Sequence, residues 1–364
     1  MLRALTAVFL SALVAVAAEG ATAKKSTMRK APAAAKTAKA AKSAAPKAAG
    51  PVQTAHRRSP YVGAISANAK TGQVLFEDRA DQEAYPASVT KLMTILLVLE
   101  DVKAGKYGFD DVIVATPEAY QSEPSWVGIK VGEKMSVRDL ATALMVESAN
   151  DAAMLLAVRS AGSLSAFVAR MNARAAELGM TRTTYYNPSG LPPTSSKGRR
   201  YPWKSFNVST ARDQLKLARQ LVTYPEVLKL TSIKTCDLVK TADGYRISVT
   251  RRANEPNRET ILAEGEKLIK QMRSHNNVMR MDTVKVTLPD GKREVLPRLT
   301  DGAGREAVDG LKTGYIDAGG SSIVLTGSRK DVRAIVVVLG SSTSKERDAK
   351  AWHLMSDALG AVSW

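Results

Sequence analysis

A helix that is apolar on every side can only lie in the interior, and this chain contains one. The run Leu92-Met93, Ile95-Leu96-Leu97-Val98-Leu99 leaves almost no polar face, so the helix is buried. Polar residues stand at its start, in Pro86-Ala87-Ser88-Val89-Thr90-Lys91. Residues three apart on a helix share a face, so the Lys91 amine can reach the Ser88 hydroxyl. A serine hydroxyl is a poor nucleophile until something takes its proton. Burial disfavours an ammonium and lowers a lysine's pKa, which is what a lysine base needs.

The spacing alone is common. Ser342-Thr343-Ser344-Lys345 repeats it in what reads as a polar turn after a strand, with no buried helix behind it. Order and context carry the argument. Ser148-Ala149-Asn150 follows Ser88 and sits between two helical patterns, Val137 to Glu147 and Asp151 to Arg159. A Ser/Asn pair in a helix-helix turn can aim a second hydroxyl and an amide into a cleft. Lys312-Thr313-Gly314 comes last, between Val308-Asp309-Gly310-Leu311 and Tyr315-Ile316. It reads as a strand whose glycine lets a ligand approach the backbone closely. Each triplet has copies elsewhere: Ser66-Ala67-Asn68, Ser205-Phe206-Asn207 and Ser274-His275-Asn276 for the first, Lys70-Thr71-Gly72 for the second. The last of these lies between two short strands and reads as a hairpin turn.

Three motifs in this order, each in fitting local structure, form the set known from penicillin-binding proteins and class A β-lactamases. The chain resembles the low-molecular-mass penicillin-binding proteins that act as D-alanyl-D-alanine carboxypeptidases, the S11 serine peptidases. The resemblance runs from about Tyr61 to the C-terminus and is supported by Tyr186-Asn187-Pro188-Ser189-Gly190-Leu191-Pro192, Ser209-Thr210-Ala211-Arg212-Asp213 and His275-Asn276-Asn277. The Glu-x-x-Leu-Asn segment of class A β-lactamases is absent from the sequence.

The resemblance implies roles. Ser88 is the nucleophile, Lys91 its base, and Ser148 a proton relay to the leaving D-alanine, with Lys312 close enough to tune it. The backbone amides of Ser88 and Tyr315 receive the oxyanion. Asn150 positions the acyl amide, and Lys312 and Thr313, followed by Gly314, suit the substrate carboxylate. The implied substrates are peptidoglycan stem peptides ending in D-Ala-D-Ala. A β-lactam mimics the same bond and should acylate Ser88. A D,D-endopeptidase would use the same residues. A β-lactamase would release the acyl group fast, and a non-catalytic envelope-binding protein would not be acylated. No cofactor is implied; the three histidines, His56, His275 and His353, are scattered and show no metal-ligand spacing.

The N-terminus reads as a secretory signal over residues 1–23, with a basic start, a short apolar run and small-residue cleavage sites. This places the protein in the periplasm or cell envelope. Residues 24–58 form a low-complexity spacer with about ten Lys and Arg against almost no acid, roughly half of the chain's net charge of +18. Weak contact with an anionic envelope surface is the functional alternative to a plain disordered linker. The secretion signal argues against a nucleic-acid partner. The single Cys236 lies in a strand-like stretch and reads as a small core residue. Residues 59–364 form the peptidase domain, about three hundred residues and enough for one large core. The second, all-β domain and membrane helix usual in the family are expected to be missing.

The pattern is strands, helices, then strands. Tyr61 to Ala67 and Gln73 to Asp78 read as a hairpin; Ser136, Ser163, and Ser209 or Thr210 read as helix starts. Ala307 to Ile316, Ser321 to Thr326 and Arg333 to Leu339 read as adjacent strands, and Ala349 to Leu359 as a closing helix. This predicts an α/β (α+β) fold: a mainly antiparallel sheet flanked by helices, with an inserted helical subregion. It agrees with the β-lactamase/transpeptidase-like fold of the family. Thr194 to Phe206 and Val278 to Glu306 depart from the family pattern, the second as an inserted hairpin turning at Pro289-Asp290-Gly291.

Overall fold

The computed structural model describes residues 60–118, 125–194, 198, 200–248, 267–276, 283–287, 293–297 and 307–360. The expected signal segment, the basic spacer and the Pro289-Asp290-Gly291 turn lie outside these residues.

In chain order the elements are β1 (Gly63–Asn68), β2 (Val74–Asp78), a 3-10 turn (Ala87–Thr90) running into α1 (Lys91–Lys103), β3 (Val112–Val114) and β4 (Lys134–Ser136). Then come α2 (Val137–Val146), α3 (Asn150–Ala161), α4 (Leu164–Glu177), α5 (Ala211–Leu221) and α6 (Pro225–Thr231). The remainder is β5 (Thr235–Lys240), β6 (Tyr245–Ser248), β7 (Lys267–Arg273), β8 (Thr283–Thr287), β9 (Arg293–Pro297), β10 (Val308–Ile316), β11 (Gly320–Arg329), β12 (Val332–Ser341) and α7 (Ser344–Ala358).

The main sheet is antiparallel, in the order β10-β11-β12-β1-β2. Its strands alternate faces with period two. Ala64, Ile323, Leu325, Val336 and Val338 pack with Trp352 and Met355 of α7. Their neighbours Ile65, Val324, Ile335, Val337 and Leu339 join the larger core that contains α1. Leu92 to Leu99 of α1 are buried all round, none above 3 % exposure. Such side chains each contribute about 1.5–3 kcal/mol on burial, so the start of α1 is held in a dry interior.

The expected caps are present. Ser136 accepts from the Asp139 amide (3.1 Å), Ser163 from Ala166 (3.2 Å) and Thr210 from Asp213 (3.1 Å). Thr210 is thus the cap of α5, while Ser209 bridges Ala84 through the backbone. Cys236 is a buried residue of β5, and burial pushes its thiol up to about 12. β8 and β9 pair antiparallel, as the inserted hairpin requires. The closing helix begins five residues earlier than its apolar pattern suggests. Thr343 and Glu346 form a capping pair in which Thr343 accepts from the Glu346 amide (3.1 Å). The Ser342-Thr343-Ser344-Lys345 copy therefore straddles a cap and a first helical turn, and no buried pocket surrounds it.

Candidate active site

The Ser88 turn is tied down from three directions. Ala87 has φ +49°, a costly conformation for a residue with a Cβ. Gly190, at φ +85°, lies so close that a Cβ there would sit 1.8 Å from the Ala87 carbonyl oxygen. Gly314 of β10 lies so close that a Cβ would sit 2.6 Å from the Pro86 carbonyl oxygen and 2.9 Å from the Ser88 nitrogen. On the third side Tyr85 stacks on Phe206, with centroids 4.4 Å apart, and Asn207 Nδ2 donates to Thr90 Oγ1 (2.9 Å).

Lys91 is fully buried yet has three polar partners. Its Nζ lies 3.0 Å from Ser88 Oγ, 2.7 Å from Asn150 Oδ1 and 2.7 Å from the Ser189 carbonyl oxygen. Asn150 Oδ1 and the Ser189 carbonyl accept only. A neutral amine satisfies both with its two N–H groups, and its lone pair is left facing the Ser88 hydroxyl. The pKa moves the same way. Burial, and then the Lys312 ammonium, hold Lys91 well below the usual lysine value, against the attraction of Asp151. A half-buried hydroxyl beside a neutral amine is an activated nucleophile.

Ser148 occupies the turn between α2 and α3 at φ +61°. Its Oγ is buried and makes no hydrogen bond with any described group. Asn150 is the first residue of α3 rather than part of the turn. Two anchors fix this corner. The Asp151 carboxylate, itself buried, accepts from the amides of Val127 (3.0 Å) and Gly128 (2.9 Å), and the Asn150 amide donates to the Ser125 carbonyl (2.7 Å). Lys270 of β7 donates to Glu147 (2.8 Å) and to the Trp126 carbonyl (3.0 Å). The residue before Ser148 is thereby fastened to the loop in front of it.

β10 is an edge strand of the main sheet, and it passes the Ser88 turn at Gly314. Lys312 is buried, and its Nζ donates to the Thr313 carbonyl (2.9 Å). Burial, then repulsion from the Arg347 guanidinium, bring its pKa down to about 7. Thr313 and Gly314 are buried as well, while Tyr315 is 60 % exposed and its hydroxyl donates to Asp317 (2.9 Å). The structure thus brings Ser88, Lys91 and Asn150 into one hydrogen-bonded cluster and lays Gly314 against it.

The sequence reading misses four contributors: Ser189, Asn187, Asn207 and Arg347. The Ser189 carbonyl is the third partner of Lys91. It is aimed by Asn187, whose Oδ1 accepts from the amides of Ser189 (3.1 Å) and Gly190 (2.7 Å) and whose Nδ2 donates to the Leu191 carbonyl (3.0 Å). Asn207 holds that loop from outside, accepting from the Tyr186 amide (2.7 Å) and donating to the Asn187 carbonyl (2.9 Å). Arg347 of α7, only 4 % exposed and paired with Asp348 (2.6 Å), adds a second cation near Lys312. The Tyr186 to Pro192 stretch carries the family resemblance, but a carbonyl has no side-chain signature.

The family model described as D-alanyl-D-alanine carboxypeptidase, Peptidase S11, matches residues 56–273. The chain belongs to this family. The S11 match ends before β10, so it is the fold that lays Gly314 of Lys312-Thr313-Gly314 against the Ser88 turn. The chain is 29 % identical over 290 residues to the D-alanyl-D-alanine carboxypeptidase DacF of Bacillus subtilis, covering 79 % of this chain and 59 % of that protein. It therefore spans less than two thirds of that relative's length. Among solved structures, the D-alanyl-D-alanine carboxypeptidase DacD of Francisella tularensis has a TM-score of 0.64 at 25 % identity, over 85 % of this chain and 72 % of that one. Penicillin-binding protein D2 of Listeria monocytogenes, in its cefotaxime-bound form, has a TM-score of 0.56 at 27 % identity, over 83 % and 98 %. The antiparallel sheet flanked by helices and the helical subregion are those of the expected α/β (α+β) fold.

Proposed function

We propose that the protein is a serine D-alanyl-D-alanine carboxypeptidase of the bacterial cell envelope that trims peptidoglycan stem peptides. The observation that carries this reading is the Lys91 amine, buried and shared among Ser88 Oγ, Asn150 Oδ1 and the Ser189 carbonyl. Lys91 takes the Ser88 proton as Ser88 Oγ bonds to the carbonyl carbon of the D-Ala-D-Ala peptide bond. The oxyanion is received by backbone amides beside Ser88 and Tyr315, where β10 meets the turn. Ser148, with a hydroxyl uncommitted to any described group, hands a proton to the departing D-alanine nitrogen. The C–N bond breaks, D-alanine leaves, and the acyl group stays on Ser88 until water releases it.

Lys312, Thr313 and the nearby Arg347 guanidinium suit a free carboxylate, the group that separates a carboxypeptidase substrate from an internal peptide bond. Binding an anion there favours the charged form of Lys312. A β-lactam carries an amide and a carboxylate in the same relation and acylates Ser88. The basic spacer, charged and without an apolar face, makes at most weak contact with an anionic envelope surface.

Two measurements test this. Fluorescent penicillin labels the wild type and fails to label Ser88→Ala; an unlabelled wild type refutes the acyl-enzyme and revives a binding-only role. Mass spectrometry of a muropeptide pentapeptide treated with enzyme shows loss of the terminal D-alanine alone. Cleavage of cross-linked dimers with the pentapeptide left intact makes the protein an endopeptidase instead.

A further inference from the structure

An apolar cleft of about 600 Å³ opens beside the Lys91 cluster, and the catalytic scheme makes no use of it. Met154 of α3 and Leu164 and Val168 of α4 line it, facing Pro188, Tyr186 and Trp203. Trp203 is a built platform rather than a stray surface aromatic. It stacks on Tyr201 with centroids 4.6 Å apart and planes 6° from parallel. Its Nε1 donates to the Pro192 carbonyl (2.9 Å). Tyr201 is buried and Trp203 half-buried, so the indole is the member of the stack that can still meet a ligand. Glu118, Lys204, Ser163 and Ser165 are also among its lining residues; the Ser163 hydroxyl caps α4 and lies 3.2 Å from that of Ser165.

The wall opposite α3 and α4 is made by two segments that lead to the neighbours of Ser88. Pro188 precedes Ser189, whose carbonyl accepts from Lys91, and the Pro188 carbonyl itself accepts from Thr94 Oγ1 (2.6 Å). The Trp203 segment continues to Phe206, stacked on Tyr85, and to Asn207, bonded to Thr90. The cleft's lining comes from α3, α4 and these segments and includes no residue of β10, the strand assigned above to the carboxylate end of the substrate. What reaches the cleft is the other end of the substrate, the acyl side. Four extended residues reach about 14 Å, which sets how far from Ser88 a group attached to a stem peptide can be received.

We propose that this cleft is a subsite for an N-acetylated amino-sugar ring of the glycan to which the stem peptide is attached, with Trp203 as its stacking platform. This rests on the carboxypeptidase reading. A pyranose has an apolar face of C–H groups and a polar edge of hydroxyl and amide groups. A rigid indole backed by a second ring and rimmed by hydroxyls and charges of both signs is complementary to that arrangement. The ordering cost is already met in the free protein, because Trp203 is held before any ligand arrives.

The test is calorimetry in the Ser88→Ala background with two probes, a disaccharide-tetrapeptide and the same tetrapeptide without sugars. The sugars should tighten Kd roughly tenfold. Trp203→Ala should remove that gain and leave the sugar-free probe unchanged, and Trp203→Phe should keep most of it. Equal affinity for the two probes, no binding of either, or equal weakening of both by Trp203→Ala overturns the subsite. Penicillin acylation of Trp203→Ala in the otherwise wild-type chain should stay within about twofold of the parent. Slow acylation makes Trp203 a support of the Ser88 turn and also overturns the subsite. Failure of the wild type to release D-alanine strikes the carboxypeptidase reading alone, since the calorimetric comparison needs no turnover.

Discussion

Gly314→Ala adds a single methyl group at the point where β10 touches the nucleophile's turn. That carbon would lie 2.6 Å from the Pro86 carbonyl oxygen, 2.9 Å from the Ser88 nitrogen and 3.0 Å from the Val89 nitrogen. All three are backbone atoms, so no side chain can swing aside, and ordinary contact begins near 3.4 Å. Strand and turn must separate by on the order of half an ångström or more. The fold can absorb this, because β10 stays paired with β11 along its other edge. The proposed site cannot, because the two amides assigned to the oxyanion, those of Ser88 and Tyr315, sit on either side of the widened gap. Loss of one such donor costs about 10²–10³ in rate, and a misplacement near 1 Å costs about 10². We expect penicillin acylation of Ser88 to slow by about 10²-fold, with a cooperative thermal transition retained. Stopped-flow with a fluorescent penicillin gives the rate, and circular dichroism confirms the fold. Acylation within about threefold of wild type in a folded variant would refute the placement of β10 against Ser88.

Lys91→Ala should lower acylation by about 10²–10⁴-fold, the usual contribution of a positioned base; Lys91→Arg should not rescue it, because a guanidinium stays protonated. In wild type the rising limb of the acylation rate against pH should lie well below the ordinary lysine pKa, since Lys91 is held below it by burial; a limb near 10.4 contradicts a buried amine base. Lys312, with its folded pKa at about 7, gives a stability test. Its buried ammonium destabilises the folded state in full below about pH 7, and that cost fades as pH rises toward the unfolded value near 10.4, by at most about 5 kcal/mol. Denaturant melts of Lys312→Met should therefore show a smaller rise in stability with pH than wild type, and identical slopes would refute the burial. Asn187→Ala leaves the Gly190 amide and the Leu191 carbonyl unpaired in the interior, so urea melts should show a loss of about 2–4 kcal/mol together with slower acylation; an unchanged midpoint would contradict the role given to Asn187.

The parts of this protein that were legible in the sequence are those with local periodicity. Ser88 and Lys91 could be joined because a helix places i and i+3 on one face, and they do meet at 3.0 Å. The alternation in β1 and β2 and the caps at Ser136, Ser163 and Thr210 are local in the same sense. The unread parts depend on partners far apart in the chain. The Ser189 carbonyl meets Lys91 across 98 positions, and Asn207 meets Thr90 across 117. An asparagine in a Pro- and Gly-containing loop looks like a turn former whether or not it organises a site. Arg347 beside Asp348 looks like an ordinary helix-surface pair until the fold buries it. The start of α7 was legible and overlooked: Thr343 to Glu346 has the spacing of a capping box.

β1 pairs with β12, which closes the chain's first described strand onto its last. The edge of the catalytic cleft formed by β10 likewise comes some 220 residues after Ser88. Until those late strands arrive, the Ser88 turn lacks the backbone that Gly314 lays against it. Reactivity is therefore a property of the finished molecule. On the proposed mechanism a partly made or partly unfolded chain carries no armed hydroxyl, and a β-lactam is expected to capture only molecules that have completed folding.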